Sequence, residues 1–213
     1  ISIEIDRLRQ RLEHEGLFDI GRKRDIPLFP QTICVITSEN SSAWEDIKKV
    51  ITMRYPLVKL ILIPTLMQGE NCIEDVCNSI DIANKDSLSD IILLSRGGGS
   101  EEVLMPFNSE EIVRFIFASK IPIVTGIGHE DDNTLSDYVA DKRGLTPTGA
   151  AQMITPDIND LKIDINRFSL NIQKSFKYYL EFKIPEIEKV KIRLHNIFPR
   201  KIEILIRNTD QIE

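Results

Sequence analysis

A chain of 213 residues, 42% hydrophobic and 28% charged, is long enough for one domain with a real core plus an appendage. No apolar run approaches the roughly 20 residues that a membrane helix needs, so no span across a bilayer is expected, and the first residues carry no secretory-signal pattern. A formal net charge of −6 runs against nucleic-acid binding, which draws on basic patches.

Only local clusters offset that charge: Arg22-Lys23-Arg24, Lys48-Lys49, Lys142-Arg143 and Arg200-Lys201. Such clusters serve as solvated faces as well as binding sites. Cys34, Cys72 and Cys77 are an odd number of thiols without metal-ligand company, which points to reduced core residues of a cytoplasmic protein.

Residues 2–15 carry Ile3, Ile5, Leu8 and Leu12 and predict a short amphipathic helix closed by Gly16. The sequence is helix-like from its first residues and lacks an initiator Met, so both ends are expected to be cuts within a longer protein. A basic linker follows and ends at Pro27 and Pro30. An alternation then begins. Residues 32–37 (TICVIT) predict a strand, and Ser42 with Glu45 predicts a capping box for the helix behind it, which Pro56 ends. Residues 58–64 (VKLILIP) predict a second strand and 70–84 a second helix of this alternation. Residues 90–95 (DIILLS) predict a third strand and 109–119 a helix. Residues 121–125 (IPIVT) predict a fourth strand and 134–141 a short helix opened by Thr134 and Asp137.

Nearly continuous apolar strands alternating with helices imply a parallel sheet covered on both faces. The predicted class is therefore α/β, doubly wound and flavodoxin-like, followed by a helical arm. In the arm, Ile158, Leu161, Ile165, Phe168, Ile172 and Tyr179, then Ile187, Val190, Leu194 and Ile197, form a heptad-like stripe. Pro185 and Pro199 are expected to break it into segments. The organisation reads as a leading helix and linker over 1–25, an α/β domain over 26–155 and an amphipathic arm over 156–213. An apolar stripe needs a partner surface: the domain itself, a second copy, or another protein.

In open parallel sheets, ligands bind beyond the carboxyl ends of the strands. The predicted strands end in Thr37-Ser38, in Gln68-Gly69, in Arg96-Gly97-Gly98-Gly99-Ser100 and in Gly126–Asp132, so polar and glycine-rich residues collect at one sheet edge. The loop Arg96, Gly97, Gly98, Gly99, Ser100 suits a phosphate, because glycines let successive N–H groups approach an anion and Arg adds a bidentate contact. The bland reading is a strand-end turn. His129 among carboxylates reads as a general acid or base, as a histidine bonded within a turn, or, with Asp131 and Asp132, as a metal ligand; the spacing matches no strong metal motif. Asp132 orients His129 or caps a helix, and Asp46 sits where a helix dipole favours a carboxylate in any case. His14 and His195 read as surface residues and Trp44 as packing.

These pieces in this order resemble the exonuclease VII large subunit. The resemblance rests on Glu15-Gly16-Leu17-Phe18-Asp19, Val35-Ile36-Thr37-Ser38, Asp46-Ile47, Gln68-Gly69, Arg96–Ser100, Phe107-Asn108, Gly128-His129-Glu130 and Thr146-Pro147-Thr148, and covers roughly residues 12–157. It implies that 26–155 is a nuclease domain of a cytoplasmic exodeoxyribonuclease that hydrolyses single-stranded DNA from either end and releases oligonucleotides. It also implies catalytic roles for Asp46, Arg96, His129 and Asp132, with no obligatory cofactor: a divalent metal such as Mg is accommodated and not required. The implied partners are single-stranded DNA, a small helical subunit on the C-terminal helices, and further copies of the chain, with no membrane. An N-terminal OB-fold outside this chain would help to hold the DNA.

The chain departs from the family at Asp131, where Thr is usual, at Asn133, at Glu101 and at Met105-Pro106. The added carboxylate at Asp131 would favour protonated His129 or attract a cation. Two readings from other classes compete. One is a flavodoxin-like enzyme acting on a small molecule at the same strand-end site. The other is a non-catalytic scaffold for a small helical subunit.

Overall fold

The computed structural model describes residues 2–86, 89–98, 101–128 and 133–209. Each strand alternates its apolar side chains between two faces, and that alternation builds two cores. From β1 (Thr32–Thr37), β3 (Ile91–Arg96) and β4 (Ile123–Ile127), Cys34, Ile36, Ile92, Leu94, Ile123 and Ile127 point to one face. There they meet α1 (Ser2–His14), α3 (Cys72–Asp86), the short α4 (Glu101–Leu104), α5 (Glu110–Ala118) and α6 (Leu135–Val139) through Leu12, Val76, Ile80, Leu104, Ile112, Ile116 and Val139. Ile33, Val35, Ile91, Leu93 and Val124 point the other way, onto Ile47 and Ile51 of α2 (Ser42–Arg54) and Ala150 and Ala151 of α7 (Pro147–Met153). Two-sided burial is why these strands read as unbroken apolar runs.

The sheet is parallel throughout, in the order β2-β1-β3-β4-β5, where β2 is Lys59–Pro64 and β5 is the two-residue Lys142–Arg143. The chain leaves β1 in one direction to form β2 and returns to the other side of β1 to form β3. The topological switch point therefore lies between the carboxyl ends of β1 and β3. The expected α/β, doubly wound architecture is present, with a strand and a helix that sequence periodicity did not reveal: β5 and α7. Both depend on close approach rather than on pattern. A Cβ on Gly144 would lie 2.4 Å from the backbone of Ala150, and one on Gly126 would lie 2.9 Å from the Ala150 Cβ, so only glycine lets α7 settle on β4 and β5.

Two local expectations differ from the structure. The cap of α2 is Ser41, whose Oγ accepts the Trp44 N–H at 3.2 Å, rather than a box opened by Ser42. The prolines do not segment the arm: α8 runs Ile158–Thr209 as one helix with Pro185 and Pro199 inside it. Each proline deletes its own N–H, while the many i→i−4 bonds on either side remain.

The residues fall into two compact units, Ile1–Asp160 and Leu161–Glu213. Within the second, the apolar stripe is exposed, with Ile165, Phe168 and Ile172 each about two-thirds accessible (66%, 65% and 69%). No helix among the described residues is long and apolar enough to cross a membrane.

The basic linker has a structural use. Arg22 donates to the carbonyls of Leu17 and Val139 at 2.6 and 2.7 Å and stacks 4.3 Å from the Phe117 ring centroid. Arg24 donates to the Ile121 carbonyl at 2.7 Å and pairs with buried Asp141 at 3.4 Å. Asp141 in turn accepts the backbone N–H groups of Arg24 and Ile123. These two cations tie the linker to the fold and are not a surface open to phosphates.

Candidate active site at the strand ends

At the switch point a crevice of about 400 Å³ opens between the ends of β1 and β3. Thr37 lines it from β1, Ser38 and Asn40 from the loop that follows, Ser41 and Ser42 from the start of α2, Leu66, Met67 and Gln68 from the turn after β2, Arg96 from the end of β3, and Gly97 and Gly98 from just beyond it. No carboxylate is among its described lining residues. Among the described lining residues Arg96 is the one ionisable side chain.

Arg96 is the last residue of β3, paired in register with Ile127, so Gly97 and Gly98 lie beyond the ladder with their N–H groups outside it. The Arg96 guanidinium is partly buried, and its buried Nη1 has no hydrogen-bond partner among the described residues. Burial holds its pKa below the ordinary arginine value, opposed by the nearby Cys72. Burial likewise pushes the Cys72 thiol up to about 11. A charged donor held in a polar crevice without an acidic partner among the described residues suits an anion supplied from outside.

The hydroxyls of the crevice divide into two groups. Ser38 Oγ donates to the Thr65 carbonyl at 3.1 Å, tying the ends of β1 and β2, and Ser41 Oγ donates to the Ser38 carbonyl at 2.7 Å. Thr37 Oγ1 has no partner among the described residues, although Thr37 is only 1% exposed. Sequence reading placed Thr37 at a strand end without assigning it a role. What would have marked it is the neighbour its hydroxyl lacks, which is not a property of sequence.

Asp46 is exposed on α2, four residues past Ser42 and so on the same helix face, one turn farther from the crevice and not among its lining residues. His129 and Asp132 lie outside the described residues, as do Gly99 and Ser100. The points flanking 129–132 are well held. Gly128, with φ of 72°, donates its N–H to the Arg96 carbonyl at 3.3 Å, which brings the end of β4 beside Arg96. Beyond the segment, Asp137 Oδ2 accepts from both the N–H and the Oγ1 of Thr134, at 2.9 and 2.8 Å, as the capping-box spacing predicted. Asn108 Oδ1 accepts the Leu135 N–H at 2.8 Å, and Ser136 Oγ donates to the Phe107 carbonyl at 2.6 Å. The Phe107-Asn108 pair thus anchors the start of α6. Among the described residues no group of three or more His, Cys, Asp or Glu side chains is placed to hold a metal.

His14 and His195 are exposed, and Trp44 packs against the α2-side core, as expected.

The family model described as exonuclease VII, large subunit matches residues 17–213. Similar curated proteins are the exodeoxyribonuclease 7 large subunits of Bacillus subtilis (40% identity, 95% of this chain and 45% of that protein) and Thermoanaerobacter pseudethanolicus (37%, 95% and 51%). That of Cyanothece sp. is 44% identical over 76% of this chain and 38% of its own length. The chain thus spans about half the length of these relatives, or less. A match that covers the whole α/β unit and the arm shows that the chain belongs to the exonuclease VII large-subunit family.

Proposed function

We propose that this chain contains the catalytic unit of an exodeoxyribonuclease that hydrolyses phosphodiester bonds of single-stranded DNA from either end and releases oligonucleotides. The observation that carries the reading is the buried Arg96 Nη1 at the switch point, without a partner among the described residues, in a crevice lined by no described carboxylate. Its charge, with the Gly97 and Gly98 N–H groups, meets the scissile phosphate and stabilises the charge that develops on it. His129 serves as base toward water or as acid toward the leaving oxygen, and Asp132 orients it. Asp46 is the second proton-transfer partner, reached by substrate that extends along α2. A divalent cation is not required in this scheme. The exposed arm stripe supports a helical small subunit, or another copy of the chain, as partner.

The test is release of acid-soluble oligonucleotides from end-labelled single-stranded DNA by the complete large and small subunit complex, with and without EDTA. Release from either labelled end that persists in EDTA is the expected result. Retention of intact substrate would refute the reading. Loss of release in EDTA would move His129 and its acidic neighbours to a metal-binding role.

A further inference from the structure

Thr37, in step with Ile33 and Val35 on the α2 side of the sheet, and Arg96, in step with Ile92 and Leu94 on the α3 side, both line the crevice at the strand ends. Ser38 and Ser41 spend their hydroxyls on the backbone. The buried side-chain atoms left over are Arg96 Nη1 and Thr37 Oγ1, both without a partner among the described residues, beside the first turn of α2 and the polar side chains of Asn40, Ser42 and Gln68. That helix has 13 residues, and its cap satisfies the Trp44 N–H. The N–H groups of Ser42 and Ala43, ahead of Trp44, have no intrahelical acceptor and carry the positive end of the helix dipole. Gly97 faces this turn. A Cβ on Gly97 would lie 3.9 Å from the Ala43 Cβ and 4.0 Å from Ser42 Oγ, so the absent side chain leaves open a gap that even a methyl group would close.

We propose that the N-terminal turn of α2 and the Thr37 hydroxyl complete, with Arg96 and Gly97, a cradle for one phosphodiester group of the DNA strand. The inference rests on the nuclease reading above and adds residues that the reading does not use. The ligand is an anion because the unspent groups are donors, one of them charged, and no described carboxylate lines the space. A phosphodiester offers two non-bridging oxygens to these donors, and its charge, which a neutral base lacks, matches the guanidinium. Recognition here is of backbone and not of sequence. A buried hydroxyl without a partner is a cost to the free protein, and the cradle gives that cost a purpose.

The test uses the complete complex, with steady-state kinetics on single-stranded DNA and the thermal midpoint of each variant measured without DNA. Thr37→Val keeps the shape and removes the donor. It should lower kcat/KM by about 10- to 100-fold, the range for a hydrogen bond to a charged group, while the midpoint does not fall, because an unsatisfied buried hydroxyl has been removed. Thr37→Ser should restore most of the activity. Gly97→Ala should fold, since its Cβ makes only ordinary contacts, and should lose at least tenfold in kcat/KM by filling the gap.

Wild-type kcat/KM in Thr37→Val overturns the cradle and leaves the nuclease reading standing. A loss matched by a lowered midpoint, unrelieved in Thr37→Ser, also overturns it, because the hydroxyl is then structural. A wild-type complex that does not hydrolyse single-stranded DNA removes both. If Gly97→Ala does not fold, the Thr37 pair decides alone.

Discussion

Replacing Arg96 by Met should make the ligand-free protein more stable and the enzyme inactive. Arg96 is partly buried, its buried Nη1 has no hydrogen-bond partner among the described residues, and no described carboxylate lines the crevice. An unsatisfied buried polar group costs about 1–3 kcal/mol. Met retains most of the aliphatic stem that packs at the end of β3 and removes the orphaned donor. Allowing for packing lost with the guanidinium, a net gain of about 1–2 kcal/mol follows. In a unit of this size each kcal/mol moves the thermal midpoint by roughly 2–4 °C, so the midpoint of Arg96→Met should rise by roughly 2–8 °C. Turnover on single-stranded DNA should fall by about 10²–10³-fold, the loss expected for one donor aimed at developing charge. Differential scanning calorimetry with and without inorganic phosphate tests both halves: phosphate should raise the midpoint of the wild type and not that of the variant. A midpoint that falls in Arg96→Met would show that the guanidinium is satisfied in the free protein, and the argument from its isolation would fail.

His129→Ala should lower kcat by about 10²–10⁴-fold with little change in KM. Asp132→Asn should fall between it and the wild type if the carboxylate orients the ring, and should be silent if Asp132 only caps a helix; steady-state kinetics separates the two. Asn108→Ala leaves the Leu135 N–H without its acceptor and should cost about 1 kcal/mol, which Asn108→Asp recovers, as read by denaturant unfolding. Cys72 and Cys77 are pushed up by burial from 9.0 to about 11. Below pH 9 both thiols are neutral folded and unfolded, and they add no pH dependence. Between about pH 9 and about pH 11 the unfolded chain releases these protons while the folded chain keeps them. Stability should therefore decline through that window by on the order of a few kcal/mol for the pair. Thermal midpoints between pH 8 and 11 should drop less steeply in Cys72→Ala than in the wild type, and equal slopes would refute the assignment.

The layer architecture was legible because burial on both faces writes itself into composition. Runs such as Ile91–Leu94 have no polar face, and helices such as α5 show Ile112, Val113 and Ile116 at helical spacing. The capping box at Thr134 and Asp137 was legible for the same reason: its chemistry is local, within four residues. Elements held by distant contacts were not. The two-residue β5 carries no periodicity, and α7 exists where it does because Gly126 and Gly144 admit Ala150. Proline inside α8 misled because the rule for proline is local, while the continuity of a long helix is the sum of many bonds.

For the candidate site, the sequence by itself determined the ingredients: an arginine and glycines at one strand end, a histidine among acids at another, and hydroxyls at a third. Those are properties of residue type and of position relative to predicted strands. Tertiary structure alone decided the strand order β2-β1-β3-β4-β5, and with it that the ends of β1 and β3 are neighbours. It also decided that Arg22 and Arg24 are spent on carbonyls and on Asp141, that Asp46 stands a turn away from the crevice, and that Thr37 and Arg96 hold buried donors without acceptors among the described residues. Whether a polar atom is satisfied depends on what the rest of the chain brings to it across tens of residues, and no local pattern encodes that.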